Sequence, residues 1–142
     1  GIIGGAGNNM FIGNSAPNFF TGGSGRNILI GGGGADVLKG GGGDSILIGD
    51  STVYDTNPTA LNAIFAEWTR TDLSFEQRVA DLISPGNNRR SLNGIYTLDK
   101  KNIISDGSPD TLLSGSGLVW AFVTQKEDTF SSKAPRDHVT NV

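Results

Sequence analysis

From Gly4 to Ile48 the chain alternates glycine-rich, polar stretches with short apolar groups, and it does so every nine residues without a gap. The copies read GGAGNNMFI, GNSAPNFFT, GGSGRNILI, GGGGADVLK and GGGGDSILI. The eighth position is always large and apolar: Phe11, Phe20, Leu29, Leu38 and Leu47. Alternation of period two over three residues predicts one short strand per unit, with its middle residue pointing inward. The first four positions predict a loop, because glycine lets the backbone turn through positive φ and approach a neighbouring loop or an ion closely. A unit this short cannot bury its own apolar face, so the copies must stack on one another.

The period fails after Ile48. Gly49 to Asp55 reads as a last strand leaving the stack. Asn57 followed by Pro58 then predicts a helix start, since the Asn side chain caps free amides and proline suits the first helical position. Leu61, Ile64, Phe65 and Trp68 form an apolar stripe at helical spacing. Ser74 with Gln77 is a capping-box pattern; Phe75, Val79, Leu82 and Ile83 continue on one face, and Pro85-Gly86 stops the helix. Two such helices predict a hairpin across a face or an end of the stack, followed by a polar link from Asn87 to Arg90. Asn93-Gly94 predicts a turn between that link and two short strands, Ile95–Leu98 and Asn102–Ser105. The nonapeptide returns in altered form as SDGSPDTLL, with Asp110 at its sixth position, and SGSGLVWAF, where Val119 at the sixth position makes the last loop structural.

The sixth positions carry the candidate chemistry. They read Asn9, Asn18, Asn27, Asp36 and Ser45, with Asp44 displaced by one. The pattern resembles the G-G-x-G-x-D-x-U-x nonapeptide of RTX (repeats-in-toxin) proteins, which wind a right-handed parallel β-roll with calcium between the loops. In that family two units make one turn. The resemblance therefore implies loops ending at Asn9, Asn27 and Ser45 on one edge, and loops ending at Asn18 and Asp36 on the other, with Asp110 stacked on Asp36 if the helical segment is a splice-in. It also implies a metal set drawn from Asn9, Asn18, Asn27, Asp36, Asp44 and Asp110. Asparagine offers an oxygen without charge, and calcium affinity rises with ligand charge, so weak sites of about 0.1 to 1 mM are expected. An Asn ladder, with side-chain amides hydrogen-bonded along the stack and no ion, stands as the alternative.

The fold expected is mostly β: a parallel β-roll or solenoid over 1–55, a helical hairpin cap inserted over 56–92, short strands and degenerate repeats over 93–123, and a polar tail over 124–142. The second half is similar to the C-terminal region of large calcium-repeat surface proteins of bacteria, Planctomycetes among them, which implies an exported terminal module. Gly1 to Ile3 read as the last strand of a preceding unit, as in a portion of a longer protein.

Composition narrows the function. The 142 residues carry a net charge of −3 and no cysteine. Cysteine-free repeats held by metal and stacking fit an extracellular setting as well as an intracellular one. No run is apolar and long enough to span a membrane, and no basic stripe marks a nucleic-acid partner. The one histidine, His138, lies in a polar stretch, and neither a G-x-S-x-G elbow nor an H-E-x-x-H motif is present. Trp68 and Trp120 sit on apolar patterns that mark them as core. The chain is thus expected to be a non-catalytic calcium-linked structural module. A filament subunit stacked end to end with little calcium, or the C-terminal domain of a secreted hydrolase or adhesin, are the alternatives. Self-association or attachment to upstream domains are the expected partnerships.

Overall fold

The computed structural model describes residues 1–85, 90–124 and 126–142. Each repeat contributes one strand, and successive strands fall alternately into two parallel sheets. The strands of the first half are β1 (Ile2–Ile3), β2 (Asn9–Ile12), β3 (Phe19–Thr21), β4 (Asn27–Ile30), β5 (Val37–Lys39) and β6 (Ser45–Ile48). The insertion brings β7 (Ser51–Thr52), α1 (Pro58–Trp68), α2 (Phe75–Ile83) and β8 (Ile103–Ile104), and the remaining strands are β9 (Thr111–Leu113), β10 (Val119–Val123), β11 (Thr129–Ser131) and β12 (His138–Asn141). One sheet runs β1-β3-β5-β9-β11 and the other β2-β4-β6-β10-β12, every pair parallel. This is the architecture of a β-roll-type repeat fold, with two units per layer.

The eighth-position residues fill the space between the sheets. Phe20, Leu29, Leu38, Leu47, Leu112, Val119 and Ala121 are buried together there, with Phe11 and Phe130 at the ends. The seventh and ninth positions point outward, and here the two sheets differ. In the sheet containing β4, those positions are Ile28, Ile30, Ile46, Ile48, Trp120 and Phe122, all buried against Ile64, Trp68, Phe75, Val79, Leu82 and Leu98 of the insertion. In the other sheet they include Lys39, Thr129 and Ser131, which are exposed. The helical hairpin therefore covers the face whose outward positions are apolar from β4 through β10, and not the face that mixes Phe19 with Lys39, Thr129 and Ser131.

The helix ends form as their sequence dictates. The Asn57 carboxamide accepts from the Ala60 amide at 3.1 Å. In the capping box the Gln77 amide donates to Ser74 Oγ at 3.2 Å and the Ser74 amide to Gln77 Oε1 at 2.9 Å. Ile83, placed by its spacing on the apolar face, is 38 % exposed. The stop at Gly86 and the link 87–89 lie outside the described residues.

Three elements differ from expectation. Strand β7 is only two residues long and pairs antiparallel with β8, so the exit and re-entry of the insertion are tied at a neck. Ile95 to Leu98 form no strand: Gly94 has φ +59°, Ile95 is 86 % exposed, and the buried Asn93 side chain holds the Asp81 and Tyr96 carbonyls. Leu98 instead hydrogen-bonds the end of α2 through the Leu82 carbonyl at 2.8 Å. Finally, the polar stretch 124–142 does not trail away. It forms β11 on β9 and β12 on β10, adding one more layer.

Candidate metal edge

The insertion leaves the register of the roll intact. Neighbouring strands of one sheet are normally 18 residues apart, as in the bond from the Asn18 amide to Asp36. Across the insertion the spacing is 74, as in the bond from the Asp36 amide to Asp110. The sixth positions consequently stack in two columns, one on each edge.

The column at Asn9, Asn27 and Ser45 is an uncharged ladder. Asn9 Nδ2 donates to the Gly7 carbonyl at 2.8 Å and to Asn27 Oδ1 at 2.9 Å. Asn27, fully buried, donates to the carbonyls of Gly25 at 2.8 Å and Gly23 at 3.2 Å, and to Ser45 Oγ at 3.4 Å. Side-chain N–H groups thus occupy loop carbonyls that a cation would otherwise have to reach. The ladder ends at Val119, which is buried in the core. Asp44 turns toward the insertion. Its Oδ2 pairs with Arg78 at 2.5 Å and its Oδ1 accepts from the Leu118 amide at 3.1 Å. Arg78 is buried as well, stacked 4.6 Å above the Trp68 ring. Asp44 therefore already has a cationic partner, which sets it apart from the other candidates.

We expect Asn27→Ala to cost about 1–3 kcal/mol, since it takes the side-chain donor from the Gly23 and Gly25 carbonyls and breaks the bond from Asn9 to the next layer. Urea denaturation should show the same loss with chelator as with calcium; a loss seen only with calcium would contradict the ladder.

The opposite column is acidic. It runs Asn18, Asp36, Asp110 and Asp128, each aspartate accepting from the backbone of the layer before: Asn18 N–H to Asp36 Oδ1 at 2.7 Å, Asp36 N–H to Asp110 Oδ1 at 2.7 Å, and Asp110 N–H to Asp128 Oδ1 at 3.0 Å. Asp36 and Asp110 are 1 % and 2 % exposed, yet Oδ2 of each has no hydrogen-bond partner. Asn18 fills the equivalent role with its Oδ1, which accepts from the Asn14 amide at 3.0 Å. The first-position glycines make room for these oxygens. A Cβ on Gly31 would stand 2.2 Å from Asp36 Oδ2, and one on Gly49 2.1 Å from Asp110 Oδ2.

Burial decides the electrostatics of this column. Desolvation pushes the Asp36 carboxyl up to about 6 against the lowering effect of the Asn18 amide, with Asp106 and Asp50 adding repulsion. Desolvation pushes Asp110 up to about 7, and Asp128 and Asp36 add to it. Asp128 is raised as well, again mainly by burial. One oxygen from each of Asp50, Asp110 and Asp128 lies within 4.8 Å of the others. Buried, crowded carboxylates with orphaned oxygens suit a hard cation, which takes oxygen ligands and neutralises their charge. The acidic edge fits calcium on these grounds, whereas the Asn-Ser ladder does not.

Asp128 and Asp50 were not among the sequence candidates. Asp128 carried a signal: units 123–131 and 132–140 hold Asp128 and Asp137 at the sixth position and Phe130 and Val139 at the eighth, hidden by the loss of loop glycines. Asp50 carried none, since it lies where the insertion leaves the repeat.

The fold is that of a stacked-repeat protein with parallel sheets, and the loops on one side of it carry a column of buried carboxylates. The family model described as RTX calcium-binding nonapeptide repeat (4 copies) matches residues 2–19 and 12–47. That segment, about a third of the chain, is similar to RTX repeats, a family whose nonapeptide repeats bind calcium. No curated protein and no solved structure matches the chain. No helix among the described residues is long and apolar enough to cross a membrane.

Proposed function

We propose that this chain is a non-catalytic, calcium-binding structural module of a secreted or surface-exposed protein, with its calcium confined to the acidic edge. The observation that carries this reading is the pair of buried, unpartnered oxygens, Asp36 Oδ2 and Asp110 Oδ2, in one column. Outside the cell, where calcium is abundant, ions at that edge neutralise the column and complete the fold. His138 packs edge-on against Trp120 with ring centroids 5.9 Å apart, a structural contact that accords with a non-catalytic role.

Calcium titration followed by calorimetry and circular dichroism tests this. Binding in the range of about 0.1 to 1 mM is expected. It should be weakened by Asp110→Asn and left unchanged by Asn27→Ala. Identical melting curves in chelator and in millimolar calcium would sink the proposal.

A further inference from the structure

The insertion leaves the roll through Gly49-Asp50 and returns at Ser105-Asp106. Asp50 occupies the second position of a unit, where the five regular copies carry Gly5, Asn14, Gly23, Gly32 and Gly41. It is 3 % exposed and spans two parts of the fold. Its Oδ1 accepts from the Asp106 amide at 3.1 Å, on the returning side of the neck. Its Oδ2 accepts from Thr124 Oγ1 at 2.6 Å, in the loop that leads to the last layer. The same loop is held by Asp128, whose Oδ2 accepts from the Thr124 amide at 2.9 Å. Asp110 Oδ2 faces Gly49, the residue before Asp50, and has no donor of its own.

Three carboxylates thus converge on one spot with an orphaned oxygen among them. None of the ion pairs among the described residues involves Asp50, Asp110 or Asp128. The span of 4.8 Å or less between their oxygens is one that a cation with oxygen bonds of about 2.3–2.6 Å bridges. We propose that Asp50, Asp110 and Asp128 together bind one calcium ion at the neck of the insertion, and that this ion locks the last layer of the roll to the base of the helical hairpin. The site rests on the reading of the acidic edge as calcium-binding, but it needs a carboxylate that the nonapeptide does not supply.

The test uses the full chain with calcium as the probe. Equilibrium dialysis should show that Asp50→Asn, close in shape to the native side chain, takes up one ion fewer than the unaltered protein. Hydrogen exchange should show calcium-dependent protection of residues 103–106 and 126–131 in the unaltered protein and its loss in Asp50→Asn. If the unaltered protein takes up no calcium, the reading of the whole edge fails and the neck site with it. Calcium uptake with the same stoichiometry and protection in both proteins overturns the neck site alone. Should Asp50→Asn fail to fold, the unaltered protein still decides: calcium uptake without protection at the neck overturns the proposal.

Discussion

Replacing Trp68 by alanine is expected to remove about 3–5 kcal/mol of stability, the usual cost of deleting a fully buried large aromatic side chain. Trp68 is 0 % exposed at the end of α1 and is the main bolt between insertion and roll. Its indole N–H donates to the Asn27 carbonyl at 2.9 Å, the Phe75 ring meets it nearly edge-on at 5.8 Å, and the Arg78 guanidinium covers its face. The variant leaves a cavity, a carbonyl with one donor fewer, and a buried arginine with one contact fewer. Urea unfolding monitored by circular dichroism checks the effect, with Ile83→Ala as a partly exposed control expected to stay within about 0.5 kcal/mol. A loss below about 1 kcal/mol for Trp68→Ala would show that the hairpin is not anchored through this residue.

The second large effect concerns pH in the absence of calcium. Asp36 and Asp110 have folded-state pKa values of about 6 and about 7 against an ordinary value of 3.8. Raised carboxyls are easier to bury protonated, so their contribution is fully present below about pH 4 and is lost as pH rises through 6 to 7. At about 1.4 kcal/mol per pH unit, the penalty at pH 8 reaches about 3 kcal/mol for Asp36 and about 4 kcal/mol for Asp110, each taken alone. The protein in chelator should therefore melt at higher temperature at pH 5 than at pH 8. Calcium should reverse the order, because it binds the ionised form. A chelated melting temperature independent of pH between 5 and 8 would mean that these carboxyls titrate normally.

Much of the fold was legible because nine-residue periodicity is a strong constraint. It placed the strands, their inward residues and the two edge columns, and the residue pairs Asn57-Pro58 and Ser74-Gln77 placed both helix starts. What escaped depended on contacts between distant parts of the chain. The outward apolar residues Ile28, Ile30, Ile46 and Ile48 mark the covered face, but that meaning appears only when alternate units are read together. Ile95 to Leu98 looked like a strand by composition, yet Gly94 and the Asn93 side chain turn the backbone away. Units 123–131 and 132–140 lost their glycines and with them the familiar look of the repeat, while Asp128 and Asp137 kept its hydrogen bonds. The edge chemistry was half legible. Asparagine and aspartate could be counted in advance, but which column was acidic depended on Asp110 falling in register with Asp36 across the insertion.

The neck has a bearing on the order in which the chain acquires its structure. Layers formed by β1 to β6 close loops of 18 residues, whereas joining β9 to β5 closes one of 74. Loop-closure entropy makes the longer step costlier by about 1.3 kcal/mol. A hydrogen-bonded neck shortens the effective loop once β7 and β8 have met. The N-terminal layers can therefore assemble on local contacts alone, and the hairpin, by bringing its own two ends together, prepares the template on which the last four strands are laid down.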